Sequence, residues 1–272
     1  MIGCLQKVAQ TAQEIEVMSG TVGSGVRPGD QQELTFSLWF AGGRPDSGAI
    51  ADRLEAMGGA SFSGLTEIDE AGAFSFEYDG FAMVLSGAAP GASARTGPPQ
   101  YFFDIRNDGL EGTEAILLAP GGAANDNVSP LEMVRGLAAA TLALTGAAHC
   151  IAVGWQPASS VMNCDYFAKV AREWLDGGPF PALGLASLMV EDGDVLVSRG
   201  MDAICGQEIA IAPIAGMANA DRARAAIRMI DYMANHGRIR EPDTMEIDGF
   251  GLFEVNPDAS GKKIYLSRSP FA

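Results

Sequence analysis

Only two histidines, His149 and His236, and four cysteines, Cys4, Cys150, Cys164 and Cys205, occur in the chain. Histidine with cysteine is the composition of a nucleophilic pair or of a soft-metal site. The spacing supports neither, because no Cys-x-x-Cys occurs and neighbouring strand residues point to opposite faces, so His149 and Cys150 do not serve one centre together. Reduced core thiols and a helix-terminal His236 are the expectation. Glu191-Asp192-Gly193-Asp194 places three carboxylates in four residues, the oxygen donors of a hard cation. The calcium-loop pattern is absent, and Asp-Gly is a hairpin signal. Glu246 and Asp248 stand two apart on an expected strand and would face one way, the arrangement of a paired acid and base; a solvated sheet face accounts for them more simply. The segment Gly20 to Gly25, GTVGSG, has no Gly-Lys-Ser/Thr ending and runs into Arg27-Pro28, which describes a linker and not a phosphate cradle. No Gly-x-Ser-x-Gly elbow occurs, and the sequence points to no catalytic set, metal site or cofactor.

Charge narrows the partners. The 272 residues carry 18 Lys plus Arg against 34 Asp plus Glu, a net charge of −16 with a pI near 4.4. Such a chain repels a phosphate backbone and an anionic membrane, so nucleic acid and membrane are excluded as partners and a charged partner should be basic. Arg222, Arg224, Arg228, Arg238 and Arg240 cluster in sequence and are expected to pair with the protein's own acceptors. The N-terminal MIGCLQKVAQTAQEIE is too polar for a signal segment. Gly136 to Trp155 lacks Asp, Glu, Lys and Arg, but Gly146 to Ala148 break it into a helix and a strand, which favours a buried core over a membrane span. A cytoplasmic protein is expected.

The elements that would position such residues are most legible around Ser129. Ser129, Pro130 and Glu132 form a capping-box start, apolar residues from Leu131 to Thr145 keep helical spacing, and Gly146 offers a left-handed stop. A buried strand His149–Trp155 follows. Residues 1–33 look peripheral. Before the central helix the order is a strand Leu34–Ala41, a helix from Asp46 or Ser47, strands near Ala60–Ile68 and Ala73–Leu85, a helix or strand near Tyr101–Arg106, and a strand Ala115–Ala119. After it come the strand His149–Trp155, a helix Asn163–Asp176, strands Ala182–Val190, Val195–Val197 and Glu208–Ala212, a helix Asn219–His236, and strands Thr244–Val255 and Lys262–Ser267.

Both halves therefore follow the split β-α-β order. The fold class is α+β, with two ferredoxin-like halves, antiparallel sheets and helices on one face, joined by the central helix. The domains expected are 1–33, a peripheral segment; 34–128, the first half; and 129–272, the central helix with the second half.

Ala152-Val153-Gly154-Trp155, the segment Arg199 to Ile209 (RGMDAICGQEI) and Pro242-Asp243-Thr244 carry a resemblance to the bacterial domain of unknown function family 4261. It extends over about Ser129 to Val255. Arg199 departs from that pattern where threonine is usual, and Pro242 where glycine is usual. The resemblance implies no assured activity or cofactor; members are similar to proteins encoded beside secretion and toxin-immunity genes, which favours binding over catalysis. Gly200 and Gly206 would permit a tight bend, and Gln207 and Glu208 would line the cleft it creates. The contact residues expected are Trp155, Gly200, Gly206, Gln207, Glu208, Asp243 and Asp248. The function expected is a non-catalytic protein-binding role, as an immunity or secretion-accessory factor. The alternatives are an enzyme or small-ligand binder using a cleft between the sheets, with Glu208 or a cysteine supplying the chemistry, and a structural subunit of a larger assembly.

Overall fold

A computed structural model describes residues 34–58, 62–69, 73–122, 128–147 and 149–269. The expectations for residues 1–33 and for Cys4 lie outside them. Within the described residues the chain is α+β, with two mixed sheets and six helices, and it divides into two compact units, residues 32–187 and a C-terminal unit beginning at Leu188.

The first unit contains β1 (Phe36–Phe40), α1 (Ser47–Gly58), β2 (Thr66–Asp69), β3 (Ala73–Tyr78), β4 (Phe81–Ser86), β5 (Tyr101–Phe103), β6 (Glu114–Pro120), α2 (Pro130–Leu144), β7 (Cys150–Trp155), β8 (Ser160–Asn163), α3 (Cys164–Leu175) and the short α4 (Ala182–Leu185). Its strands form one sheet in the order β2-β3-β4-β6-β1-β7-β8-β5. β1 alternates Phe36, Leu38 and Phe40 on one face, all fully buried, and pairs antiparallel with β6 on one side and β7 on the other. That face meets α2, which lies against β1, β4 and β6 and is flanked by α1 and α3. Apolar residues recurring with period two on the strand and with helical spacing on α2 thus build one core.

α2 starts as its sequence dictates. The Ser129 hydroxyl accepts from Glu132 N–H, the Glu132 carboxylate accepts from Ser129 N–H at 3.1 Å, and Pro130 takes the first turn. The Ser129 hydroxyl also donates to the Glu132 carboxylate at 2.6 Å, and this bond, together with that from Ser129 N–H, holds the Glu132 carboxyl below its ordinary range. The expected stop at Gly146 is different in kind. Gly146 has no positive φ; the Arg53 guanidinium, the movable end of a long side chain, lies where a Cβ would stand, so the glycine lets that group approach the backbone closely. The left-handed residue is His149, at φ 66°.

The boundary expected between 128 and 129 does not separate the sheets. β7 and β8 continue the sheet begun by β1, and α2 and α3 pack with it, so residues 129–187 belong to the first unit and the central helix lies inside it. Residues 182–190, expected as one strand, are a tight turn, non-helical at Leu183 and Gly184, followed by a strand from Ser187. Gly184, at φ 125°, interrupts the extended run, and a Cβ there would run into Met162.

The second unit carries β9 (Ser187–Glu191, whose first residue precedes the division), β10 (Val195–Arg199), α5 (Asp202–Cys205), β11 (Glu208–Ile211), α6 (Asn219–His236), β12 (Asp243–Ile247), β13 (Gly251–Pro257) and β14 (Lys263–Arg268). The sheet order is β12-β13-β14-β11-β10-β9. β11 and β14 are parallel, as are β5 and β8 in the first sheet, so both sheets are mixed where antiparallel ones were expected. The long crossover through α6, β12 and β13 is what allows β14 to return alongside β11 in the same direction. α6 lies against β10, β11 and β12 and buries Ala226, Met229, Ile230 and Met233. On the sheet, Ile209, Ile211, Phe253, Val255, Ile264 and Leu266 are buried. The expected strand 244–255 is a hairpin: β12 and β13 pair antiparallel around a turn at 248–250, with Gly249 at φ 82° and Gly251 at φ 84°.

Candidate functional site

The segment Gly200 to Glu208 folds into a closed knot. α5 ends at Gly206, which takes the left-handed conformation at φ 79°, and Gly200 sits at φ 104°; both glycines meet a backbone requirement that side-chain-bearing residues satisfy poorly. Glu208, the first residue of β11, turns its carboxylate back onto the loop before α5. One oxygen accepts from Gly200 N–H at 2.8 Å and from Asp202 N–H at 2.9 Å, and the other accepts from the Ser198 hydroxyl. The Ser198 oxygen in turn accepts from Ile209 N–H at 2.8 Å. Desolvation by burial pushes the Glu208 carboxyl above its ordinary range, and the three hydrogen bonds work against that rise. Both oxygens are spent on the chain itself. Glu208 therefore fastens the loop to the sheet.

Gln207 is fully buried. Its amide nitrogen donates to the Ile239 carbonyl at 2.9 Å and to the Gly261 carbonyl at 3.0 Å, while its oxygen accepts from Ile239 N–H at 3.0 Å. One side chain thus joins three segments that lie 32 and 54 residues apart. Every donor and acceptor of the amide in reach is used on backbone, which is how a buried amide avoids the cost of desolvation. Lys262 reaches Asp202 at 3.2 Å across the rim.

Trp155, in the first unit, is also a core side chain at 0% exposure. Its ring lies 4.5 Å from that of Phe36, on the face that also receives Phe167, and its indole N–H has no hydrogen-bond partner. It offers no surface to a partner. The knot and Trp155 belong to different units, and five of the seven expected contact residues are internal fastenings or backbone devices of their own units.

Asp243 and Asp248 are exposed. Asp248 lies in the β12–β13 turn, so it does not share a strand face with Glu246 as the spacing implies. Asp243 opens β12, the outermost strand of its sheet, and its carboxylate accepts from Thr244 N–H at 2.7 Å. Pro242, Asp243, Thr244, Glu254 and Asn256 line a shallow open depression beside this edge. Cross-strand pairing puts Thr244 opposite Glu254 and Glu246 opposite Leu252, then Glu254 opposite Ser267 and Asn256 opposite Tyr265 on β14. These residues share the sheet face opposite Phe253 and Val255, and Tyr265 is 49% exposed there. None of the ion pairs among the described residues engages Glu241, Asp243, Glu246, Asp248 or Glu254. Asn256 and Tyr265, in the expected last turn and last strand, carry no motif, and Glu254 does not stand out in the sequence because the hairpin reads there as one strand. The Asp248-Gly249 dipeptide is the signal that splits it.

The remaining chemistry-bearing groups are placed as follows. Residues 192–194 form the β9–β10 turn, and Glu191 reaches Lys263 at 3.8 Å; no cluster of three metal-ligating side chains occurs among the described residues. His236 stacks on Tyr232 at 4.3 Å. Arg222 is buried and bonds the carbonyls of Asp194 at 2.7 Å and Ile211 at 3.2 Å and the Asn219 side chain at 2.6 Å, while Arg224 pairs with Asp221 at 2.7 Å. No described helix is long and apolar enough to cross a membrane. Comparisons with protein-family models, curated proteins and solved structures found no match for the chain.

Proposed function

We propose that the protein is a non-catalytic binding protein that takes a basic, extended segment of another protein along the edge of β12. The observation that carries this is the edge itself. β12 is outermost in its sheet, exposed at Asp243, Thr244 and Glu246, and surrounded by carboxylates that no cation of the chain neutralises among the described ion pairs. An exposed edge supplies backbone donors and acceptors for an added strand. The carboxylates select a basic partner, and Tyr265 gives the adjoining face an aromatic contact of the kind enriched at interfaces. A net charge of −16 agrees with a basic protein and opposes nucleic acid.

The immunity or secretion-accessory role, the kinship with family 4261 and a cytoplasmic location belong to the same proposal, supported by the Arg199 to Ile209 segment. A ferredoxin-like arrangement is part of the same proposal, supported by the packing of helices against one sheet in each unit.

The test is fluorescence anisotropy with a labelled ten-residue peptide alternating lysine and valine, against its glutamate counterpart. Saturable binding of the lysine peptide, weakening with salt, is expected; D243K/E246K should weaken it about tenfold, equivalent to about 1.4 kcal/mol. Equal binding by the variant, or no binding by the wild-type chain, refutes the proposal.

A further inference from the structure

Cys150 opens β7 and Cys164 opens α3. Although they are 14 residues apart, the β7–β8 hairpin brings their sulfurs to 3.4 Å. Cys164 is 6% exposed and Cys150 is half-buried, so the pair sits just below the surface with Cys150 on the solvent side. The Cys164 sulfur also lies 3.6 Å from the Thr145 carbonyl, and the Cys150 sulfur 3.9 Å from that of Ala152. Closing 3.4 Å to the roughly 2.0 Å of a disulfide requires a movement within the range of side-chain rotation.

The surroundings make the two thiols unequal. Cys164 is the first residue of a twelve-residue helix capped by the Asn163 side chain, which accepts from Asp165 N–H at 2.9 Å and Tyr166 N–H at 3.2 Å. A helix N-terminus favours a thiolate. The contact between the two sulfurs lowers the Cys164 thiol, whereas the same contact, followed by burial, raises Cys150. The pair thus gives up its first proton from Cys164.

We propose that Cys150 and Cys164 are a dithiol oxidation site, closed to an intrachain disulfide by a small hydroperoxide. The Cys164 thiolate attacks one peroxide oxygen, the O–O bond breaks, and the hydroxide that leaves takes a proton to become water; Cys164 is now a sulfenic acid. The Cys150 sulfur then attacks the Cys164 sulfur, the S–O bond breaks, and the departing hydroxide carries off the Cys150 proton as a second water. Two thiols and one hydrogen peroxide give one disulfide and two waters. The site uses no residue of the β12 edge and stands or falls apart from the binding proposal.

The experiment treats the reduced full chain with hydrogen peroxide, alkylates the remaining thiols, cleaves with chymotrypsin, which cuts after Trp155 between the two cysteines, and reads the products by mass spectrometry. The expected result is a cross-linked Cys150–Cys164 pair about 2 Da lighter than the two free peptides, with Cys205 still alkylated. Cys205 is slow to react because burial pushes its thiol up to about 11. C150S should trap Cys164 as a sulfenic acid that a dimedone-type reagent captures. Full alkylation of both cysteines after peroxide treatment, or a cross-link to Cys4 or Cys205 in place of this pair, overturns the proposal; the cross-link is read on the wild-type chain, so its presence or absence decides the matter even where the variant folds poorly.

Discussion

Replacing Gln207 with leucine keeps nearly the same volume and removes three hydrogen bonds, two to Ile239 and one to Gly261. The Gly261 carbonyl keeps a bond from Arg238 at 2.5 Å, so the groups left without a partner are the N–H and C=O of Ile239. An orphaned buried group costs about 1–3 kcal/mol, and Ile239 is half-buried, which places each loss in the lower half of that range, about 1.5 kcal/mol, or about 3 kcal/mol for the pair. The additional apolar burial of leucine returns about 1 kcal/mol. The net is about 2 kcal/mol, or roughly 30-fold in the local opening equilibrium. Hydrogen exchange followed by mass spectrometry reads this directly, because the loosened segments are known. Peptides covering 205–211, 237–241 and 259–266 should lose protection together. Gln207→Glu provides a sign test: its ionised carboxylate would set an oxygen against the two carbonyls that the amide nitrogen now serves, so protection should fall further at neutral pH and recover on acidification as the carboxyl is protonated. Unchanged exchange in 205–211 for the leucine variant, or a loss confined to 237–241, would refute the idea that one amide joins the three segments.

Glu208→Gln isolates the cost of burying a carboxylate. The folded pKa of Glu208 is raised above its ordinary value of about 4.5, so its ionised form is disfavoured in the folded state. Wild-type stability relative to the glutamine variant should therefore fall as pH rises from the unfolded pKa through the raised folded one, and level off above it; urea midpoints across that range check this, and a difference that widens in favour of the wild type with rising pH contradicts it. Gly136→Ala should destabilise despite the better helix propensity of alanine, because the new Cβ would meet the Phe81 ring at 2.5 Å. Overpacking of about 1–3 kcal/mol against a propensity gain of about 1 kcal/mol leaves a net loss of up to about 2 kcal/mol. A urea midpoint at or above wild type would show that the ring yields freely, and adding Phe81→Ala should make the two changes less than additive.

What is legible in the sequence is local. The Ser129 capping box and the Asn163 start of α3 follow from side chains within one helical turn of the groups they satisfy, and α6, which has no side-chain cap at its start, follows from its apolar spacing and Gly237, so those elements appear where the spacing predicts them. The errors are of a different physical kind. Ala73–Leu85 and Thr244–Val255 each read as one strand because apolar residues continue on both sides of the turn; in Thr244–Val255 even the phase is kept, with Ile247, Phe253 and Val255 buried, whereas in Ala73–Leu85 it shifts from Phe76 and Tyr78 to Met83 and Leu85. Only Asp79-Gly80 and Asp248-Gly249, with Asp79 at φ 51° and both glycines at positive φ, break the run. Gly146 has the composition of a helix stop but serves a contact from Arg53, 93 positions earlier in the chain, which no window of helical length contains.

The same distinction separates the expected site from the observed geometry. The short motif from Gly200 to Glu208 stands out in the sequence because its glycines and its Gln–Glu pair are unusual together, and unusual residues invite a ligand. Their partners lie in other segments: Ser198 on β10, Ile239 after α6 and Gly261 before β14. Once β11 and β14 are parallel neighbours, Ile239 and Gly261 converge on Gln207 while Ser198 closes on Glu208, and the polar atoms of both side chains are spent on the chain itself. A motif can therefore be distinctive because it closes a topology as well as because it binds something, and the partners of its polar atoms decide between the two. By that criterion the Gly200–Glu208 knot is a fastening. Asp243 and Glu246 on β12 are among the carboxylates left facing solvent without a counter-charge among the described ion pairs.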